Sequence, residues 1–352
     1  MQFQDAYLVI IAGGSGTRFW PKSTAQRPKQ LLSFGGSSLL AQTLDRFKEL
    51  IPAERRMILT TQSLKDAVLA QNPQATVLGE PQGRNTAPCI YWAAQKIAEE
   101  NPKALMLVMP SDHYIANRES FLSTTEQAMN WAKNHSDLVT LGIEPSRAET
   151  GYGYLQIDSL PIKPKEPHSP HRVLKFVEKP NLARAQEFIQ SKNYLWNGGM
   201  FIWRVDTLLE AFDEYMPEMK RAWNETHGEV EKAYPLLTAT SIDYGVMEKA
   251  QNVVTFPLTC GWDDLGSWTS LESLASVLHA QKDQNVVTEG DVVSLDSRGN
   301  IVDAPGKLIA LLGIEDLIIV EHGGAILVAK KERAQDIRTL VERLKKTHPH
   351  LI

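Results

Sequence analysis

Short, continuous apolar runs alternate with amphipathic stretches over the first 150 residues. Residues 7–12 (YLVIIA) end in Gly13-Gly14-Ser15-Gly16, the pattern of a buried strand feeding a tight loop. MILT (57–60) and TVL (76–78) predict further strands, ALMLVMP (104–110) the strongest one, and residues 138–143 another. Ser37 and Ser38 can cap a helix carrying Leu39, Leu40, Leu44 and Phe47 on one side, and helices are expected near 87–100 and 119–133. The strands are apolar throughout rather than alternating, and helices separate them. That pattern predicts an α/β fold with a mostly parallel sheet covered on both faces.

The middle of the chain is less regular. PIKPKEPHSPH (161–171) is rich in Pro and charge and predicts an exposed excursion. RVLKFVEKP (172–180) reads as a strand stopped by Pro180, followed by a helix at about 182–191 and a strand around Met200–Trp203. SWTSLESLASVLHA (267–280) predicts a helix leading out of this region. From about 285 the runs NVVTEGDVVSLD, GNIVDA, KLIALLG, LIIVEH and AILVAK are separated by turn residues at close intervals, as in a small all-β unit or β-helix-like stack. A last helix carries Ile337, Leu340, Val341 and Leu344 on one face. The 352 residues are enough for two units, and the change of pattern divides them at 1–280 and 281–352. The second unit is expected to pack on the first, on another subunit, or both.

Composition removes several classes. With 43% hydrophobic and 22% charged residues the chain is neither collagenous, nor a coiled-coil rod, nor disordered. Lys+Arg 37 against Asp+Glu 42 leaves −5, so no global positive field would hold nucleic acid or an anionic membrane. Any anion must be bound by a local site. Cys89 and Cys260 have neither CxxC spacing nor a His at zinc-ligand spacing, which argues against a disulfide framework or zinc module and fits a reducing cytoplasm. The N-terminus lacks the basic region and longer apolar core of a signal peptide. No apolar run approaches the ~20 residues of a membrane span; LIALLGIEDLIIV is broken by Glu315 and Asp316.

The local anion site suggests itself at Gly13-Gly14-Ser15-Gly16-Thr17-Arg18, with Pro28-Lys29-Gln30 close behind. Glycines after a strand let backbone N–H groups approach a phosphate, and Arg18 and Lys29 could neutralise it. The P-loop pattern is absent, and Phe19 stands where a dinucleotide fingerprint needs its third Gly. A Gly-rich turn with surface cations is the plain alternative. Two cations in one short segment favour phosphate.

GGSGTRFWP with RPKQ resembles the N-terminal signature of the sugar-1-phosphate nucleotidyltransferases. EPQGRNTAP (80–88), PSDH (110–113), GYGY (151–154), FVEKP (176–180), WNGGMF (196–201), SIDYGVMEK (241–249) and GWDDLGSW (261–268) narrow the resemblance to the mannose-1-phosphate guanylyltransferases. The motifs follow in family order along nearly the whole chain. The resemblance implies a Rossmann-like, mostly parallel mixed sheet flanked by helices, with a small C-terminal β unit and terminal helix. It implies transfer of GMP from GTP to mannose 1-phosphate, giving GDP-mannose and pyrophosphate, with Mg²⁺ as cofactor.

By the same resemblance Asp112 and Asp264 are the metal ligands, with Asp263 at the family's variable position. Arg18, Lys29 and Lys179 carry the catalysis: Arg18 at the leaving pyrophosphate, Lys29 at the triphosphate, Lys179 on the sugar phosphate. Gly13, Gly14, Ser15, Gly16 and Thr17, with Gly83, Arg84 and Asn85, contact the nucleotide. Gly153, Glu178 and Asn197 bind the sugar phosphate, and Trp196 is the candidate pocket wall. His113 beside Asp112 is set aside as a metal ligand, because phosphate-bound Mg²⁺ prefers oxygen donors. Each position has a plain reading: helix cap at Asn85, solvated turn at Asp263-Asp264, surface ion pair at Glu178-Lys179. A homodimer is expected. Transfer to another hexose 1-phosphate or from another NTP, a glycosyltransferase, and a non-catalytic paralogue sensing GDP-mannose are the rivals. The glycosyltransferase would usually carry Asp-x-Asp where this chain has Ser111-Asp112-His113.

Overall fold

Each strand expected from the apolar runs of the first 150 residues is present in the computed structural model, which describes residues 3–14, 16–34, 36–165, 169–275, 281–282 and 284–352. In chain order the strands are β1 (Ala6–Ile11), β2 (Arg56–Thr61), β3 (Thr76–Glu80), β4 (Leu105–Pro110), β5 (Tyr114–Ile115), β6 (Leu138–Ile143), β7 (Tyr154–Ile157) and β8 (His171–Val177). They continue with β9 (Tyr194–Arg204), β10 (Val253–Leu258), β11 (Trp262–Asp263), β12 (Gln281–Lys282), β13 (Asn285–Leu295), β14 (Ile301–Leu312), β15 (Leu317–His322) and β16 (Ala325–Lys330). The chain divides into two compact units, residues 1–13, 44–110 and 117–262, and residues 14–43, 111–116 and 263–352.

The first unit holds a nine-stranded sheet in the order β3-β2-β1-β4-β9-β6-β10-β8-β7. β1 runs parallel to β2 and β4, β2 to β3, and β6 to β10, while β9 is antiparallel to both β4 and β6. The all-apolar strands are covered on both faces, and Leu8, Val9 and Ile10 have no exposed surface. The helix Thr86–Glu100 packs Ile90, Ala93, Ala94 and Ile97 into a core shared with Leu208, Ala211 and Phe212 of the helix Val205–Tyr215. β6 lies close between its neighbours: a Cβ on Gly142 would sit 2.6 Å from Leu195 Cδ1 and from Thr255 Oγ1. The strand expected around Met200 is longer, beginning at Tyr194, so Asn197, Gly198 and Gly199 belong to β9 rather than to a turn. Helices Val205–Tyr215 and Pro217–Glu225 are additional to those expected above.

In the second unit β13, β14 and β15 are parallel, with β16 antiparallel on the β15 side. GNIVDA and KLIALLG are one strand, β14, bent at Gly306 in the left-handed region (φ 69°). The helix expected over 267–280 is a 3-10 turn at Trp268–Ser270 and a short helix Leu271–Leu274; residues 276–280 lie outside the described residues. Phe19 packs between Phe34 and Trp268, with ring centroids 5.3 and 5.2 Å away. Trp20, Leu32 and Leu39 join Ile301, Ile318 and Val320 in the same core. The C-terminal helix Ile337–Thr347 adds Ile337 and Val341, with Leu344 partly buried and Leu340 on the rim. Lys22 is buried here. Its Nζ donates to Asp303 Oδ2 (2.7 Å) and Glu289 Oε1 (2.9 Å), so a charge that would be costly alone is paired.

Candidate active site

The loop after β1 is shaped by glycine. Gly16 has φ 59°, and a Cβ there would lie 2.3 Å from Lys29 Cβ and 2.6 Å from its backbone N. The chain then enters the 3-10 turn Thr17–Phe19, where Phe19 is buried and Arg18 is left exposed. Lys29 opens a second such turn, Lys29–Leu31. Its Nζ donates to Asp112 Oδ2 (2.8 Å) and to the Asp264 carbonyl (2.5 Å). Burial would raise the Asp112 carboxyl, but the Lys29 and His113 charges and the Lys29 hydrogen bond more than offset it and hold it below the usual carboxylate range. Arg18, Lys29, Asp112 and Asp264 all line one cavity of about 540 Å³.

Asp263 and Asp264 part ways. Asp263 is buried, and its Oδ1 accepts from the backbone N–H of Leu265 (2.7 Å), so it holds the turn. Asp264 lies on the cavity wall, with Gly266 beside it. A Cβ at Gly266 would lie 3.1 Å from Asp264 Oδ1, so the glycine leaves that carboxylate its room. Among the described residues no group of three or more His, Cys, Asp or Glu is arranged to hold a metal by itself. The two aspartates are a hard-oxygen set suited to an ion that also takes water and substrate phosphate, such as Mg²⁺. The Lys29 ammonium bridging Asp112 and the Asp264 carbonyl shows that this spot accommodates positive charge.

A second cluster lies within the first unit. A Cβ on Gly153 would be 3.0 Å from Glu178 Oε2 and 3.6 Å from Asn197 Cβ, so the glycine permits the approach of both. Asn197 N donates to the Gly153 carbonyl (2.8 Å), its Oδ1 accepts from Gly199 N (3.1 Å), and its Nδ2 donates to Asp243 Oδ1 (2.7 Å). Lys179 occupies the left-handed region (φ 36°) and pairs with Glu178. Burial pushes the Asp243 carboxyl up, opposed by the Asn197 hydrogen bond. Trp196 is buried, edge-on to Tyr152 at 5.2 Å, and Arg147 lies over its ring at 5.4 Å.

The EPQGRNTAP segment forms a third cluster in the same unit. Asn85 is left-handed (φ 66°) and caps the helix Thr86–Glu100 by accepting from Thr86 N (2.9 Å). Arg84 Nη1 donates to the Leu237 carbonyl (2.7 Å), and Thr86 Oγ1 accepts from Ile242 N (2.9 Å), tying the segment to 237–242. A Cβ on Gly83 would meet nothing within 4 Å, and the same holds for Gly14. Ser15 lies outside the described residues. Glu80, at the end of β3, is buried and accepts from Tyr234 Oη at Oε2 (2.7 Å). Its Oε1 faces Gly13, where a Cβ would lie 3.6 Å away. Burial raises the Glu80 carboxyl, while the Tyr234 hydrogen bond and a backbone N–H pull it down.

Three features escape a reading of the sequence. Glu80 opens one of the motifs, and an acid directly after an apolar strand end is the available signal. Asp243 lies inside SIDYGVMEK, but nothing in the spacing pairs it with Asn197, 46 positions earlier. Arg338, Glu342 and Lys345 also line the 540 Å³ cavity, although the final helix carries no motif.

A family model described as nucleotidyl transferase matches residues 7–281, and one described as MannoseP isomerase/GMP-like beta-helix domain matches residues 290–344. The chain is 36% identical over 362 residues to a mannose-1-phosphate guanylyltransferase of Salmonella montevideo, covering 97% of this chain and 74% of that protein. It is 35% identical to the alginate biosynthesis protein AlgA of Pseudomonas aeruginosa, covering 96% and 71%. A solved structure from Thermus thermophilus, described as a mannose-1-phosphate geranyltransferase, superposes with a TM-score of 0.88 at 34% identity, over 97% of this chain and 100% of that one.

Proposed function

The chain belongs to the nucleotidyl transferase family, and from that membership and the three clusters we infer that it transfers GMP from GTP to α-D-mannose 1-phosphate, giving GDP-mannose and pyrophosphate. The observation that carries the reading is the Lys29 ammonium held between Asp112 and Asp264 in a cavity that Arg18 also lines. Cations beside two carboxylates suit a metal-bound polyphosphate. Guanylyl transfer is favoured over geranyl transfer by the nucleotidyl transferase family match and by the guanylyltransferase relative.

The attacking group is a phosphate oxygen of the sugar phosphate, already an anion at neutral pH, so no general base is needed. The work is alignment and charge neutralisation. Asp112 and Asp264 would hold Mg²⁺, which when bound supplies positive charge at the reacting phosphates. Arg18 and Lys29 neutralise the triphosphate and the departing pyrophosphate, and Lys179 holds the attacking phosphate. Gly13, Gly14, Gly16 and Thr17 would offer backbone N–H groups to the nucleotide. Glu178 accepts from sugar hydroxyls and Asn197 reads the sugar beside Gly153. Gly83, Arg84 and Asn85 form the base-side segment. Glu80 supports guanine, because a carboxylate accepts from adjacent N–H and NH₂ donors and guanine presents that pair on one edge.

A homodimer is supported by exposed apolar residues on the C-terminal strands, Val293 and Leu295 on β13 and Leu308 and Leu312 on β14, with Leu295 directly opposite Leu312. A cytoplasmic location is supported by two free, buried cysteines; no helix among the described residues is long and apolar enough to cross a membrane.

A panel of GTP, ATP, UTP and dTTP against mannose and glucose 1-phosphates, followed by pyrophosphate release, tests the reading. GTP with mannose 1-phosphate should turn over fastest. Preference for another pair overturns the specificity, and binding of GDP-mannose without any release overturns the activity.

A further inference from the structure

The C-terminal helix brings further charge to the cavity. Ile337 and Val341 face the core, and the helical period places Arg338, Glu342 and Lys345 together on another face, which lines the cavity. The helix packs against the turn Thr17–Phe19. The residues after it are pinned to the same loop, since Trp20 Nε1 donates to the Leu351 carbonyl (2.9 Å) and Ala25 N to the Ile352 carbonyl (3.2 Å). Helix and phosphate loop are therefore held as one piece.

The charges on this wall differ in their commitments. Lys29 is engaged by Asp112 and Asp264. Lys345 Nζ donates to Glu342 Oε1 (2.8 Å) at the solvent-exposed surface, and that hydrogen bond, with Arg338 and Lys346 nearby, holds the Glu342 carboxyl below its usual range. Arg338 is exposed and has no hydrogen bond or ion pair among the described residues. Exposed pairs exchange partners at little cost. A polyanion entering the cavity thus meets Arg338 and Lys345 as well as Arg18.

Resting on the phosphate reading of this cavity, we propose that Arg338 and Lys345 bind the terminal phosphates of the nucleoside triphosphate and the pyrophosphate released from it. The C-terminal segment would then complete the anion site rather than merely support the fold.

Calorimetric titration with magnesium pyrophosphate and with GMP tests this on the full chain. Each charge-assisted contact is worth roughly tenfold in affinity, so the Arg338→Gln/Lys345→Gln variant should bind pyrophosphate about 100-fold more weakly and GMP as the wild type does. Arg343→Gln removes a charge from the same helix on the face near Leu327 and Val328, and it should leave both affinities unchanged. Wild-type pyrophosphate affinity in the double variant, or an equal loss in Arg343→Gln, overturns the proposal while leaving the reading of the cavity intact. Failure of the wild type to bind pyrophosphate or any nucleoside triphosphate overturns both.

Discussion

Around Lys29 the polar groups stand on loops and short turns and are joined by charge: ammonium to carboxylate, ammonium to carbonyl. Around Asn197 the groups gather about one strand of a nine-stranded sheet: Asn197 is fixed in β9 by directional hydrogen bonds to Gly153, Gly199 and Asp243, and Glu178 and Lys179 pair just beyond the end of β8. Glycine serves both, differently. Gly16 takes a left-handed turn against the Lys29 backbone, whereas Gly153 vacates the space into which Glu178 and Asn197 reach. A site for a flexible polyanion can rely on strong, weakly directional attraction. A site that distinguishes sugar hydroxyls needs directional partners whose positions are set by the sheet.

The contrast can be broken most directly at Asp264. Asp264→Ala should lower turnover by about a thousandfold with an unchanged melting curve, since the side chain lies on the cavity wall while Asp263 holds the turn; normal pyrophosphate release would remove the metal assignment. A smaller and more selective loss is expected at the other cluster. Lys179→Ala should raise KM for mannose 1-phosphate by about tenfold, as for a lost hydrogen bond to a charged group, and leave KM for GTP nearly unchanged. Equal rises for both substrates would erase the distinction between the clusters. The smallest effect concerns Glu80. Its carboxyl is raised by burial, so the native state binds the proton more tightly than the unfolded chain, and stability declines as pH rises through the acid range. Glu80→Gln lacks this term. In melting curves between about pH 4 and pH 8, the wild type should lose stability relative to the variant as pH increases, and parallel curves would contradict the raised carboxyl.

Much of the fold is legible because strands such as β1, β4 and β6 are buried on both faces and read as unbroken apolar runs. β6 and the helix Leu182–Ser191 have the bounds that the pattern predicts. Short strands such as β7 are not legible, because a four-residue run carries little periodicity. Charged residues beside glycines are visible as candidates, and the structure brings Arg18, Lys29, Asp112 and Asp264 to one cavity and Gly153, Glu178 and Asn197 to another cluster. Glu80, Asp243 and Arg338 are not visible, because each gains its meaning from a neighbour distant in sequence.

The burial of Lys22 against Asp303 has a practical consequence for anyone who would divide this protein. A fragment ending before β13 would retain the glycine loop but leave an ammonium without its counter-ion, and Phe19, Trp20 and Phe34 without the strands and helix they pack on. Such a fragment would be insoluble or inert even if every motif in it were intact. Domain-swapped hybrids must therefore exchange residues 14–43 together with residues 263–352 and leave β1 in its sheet.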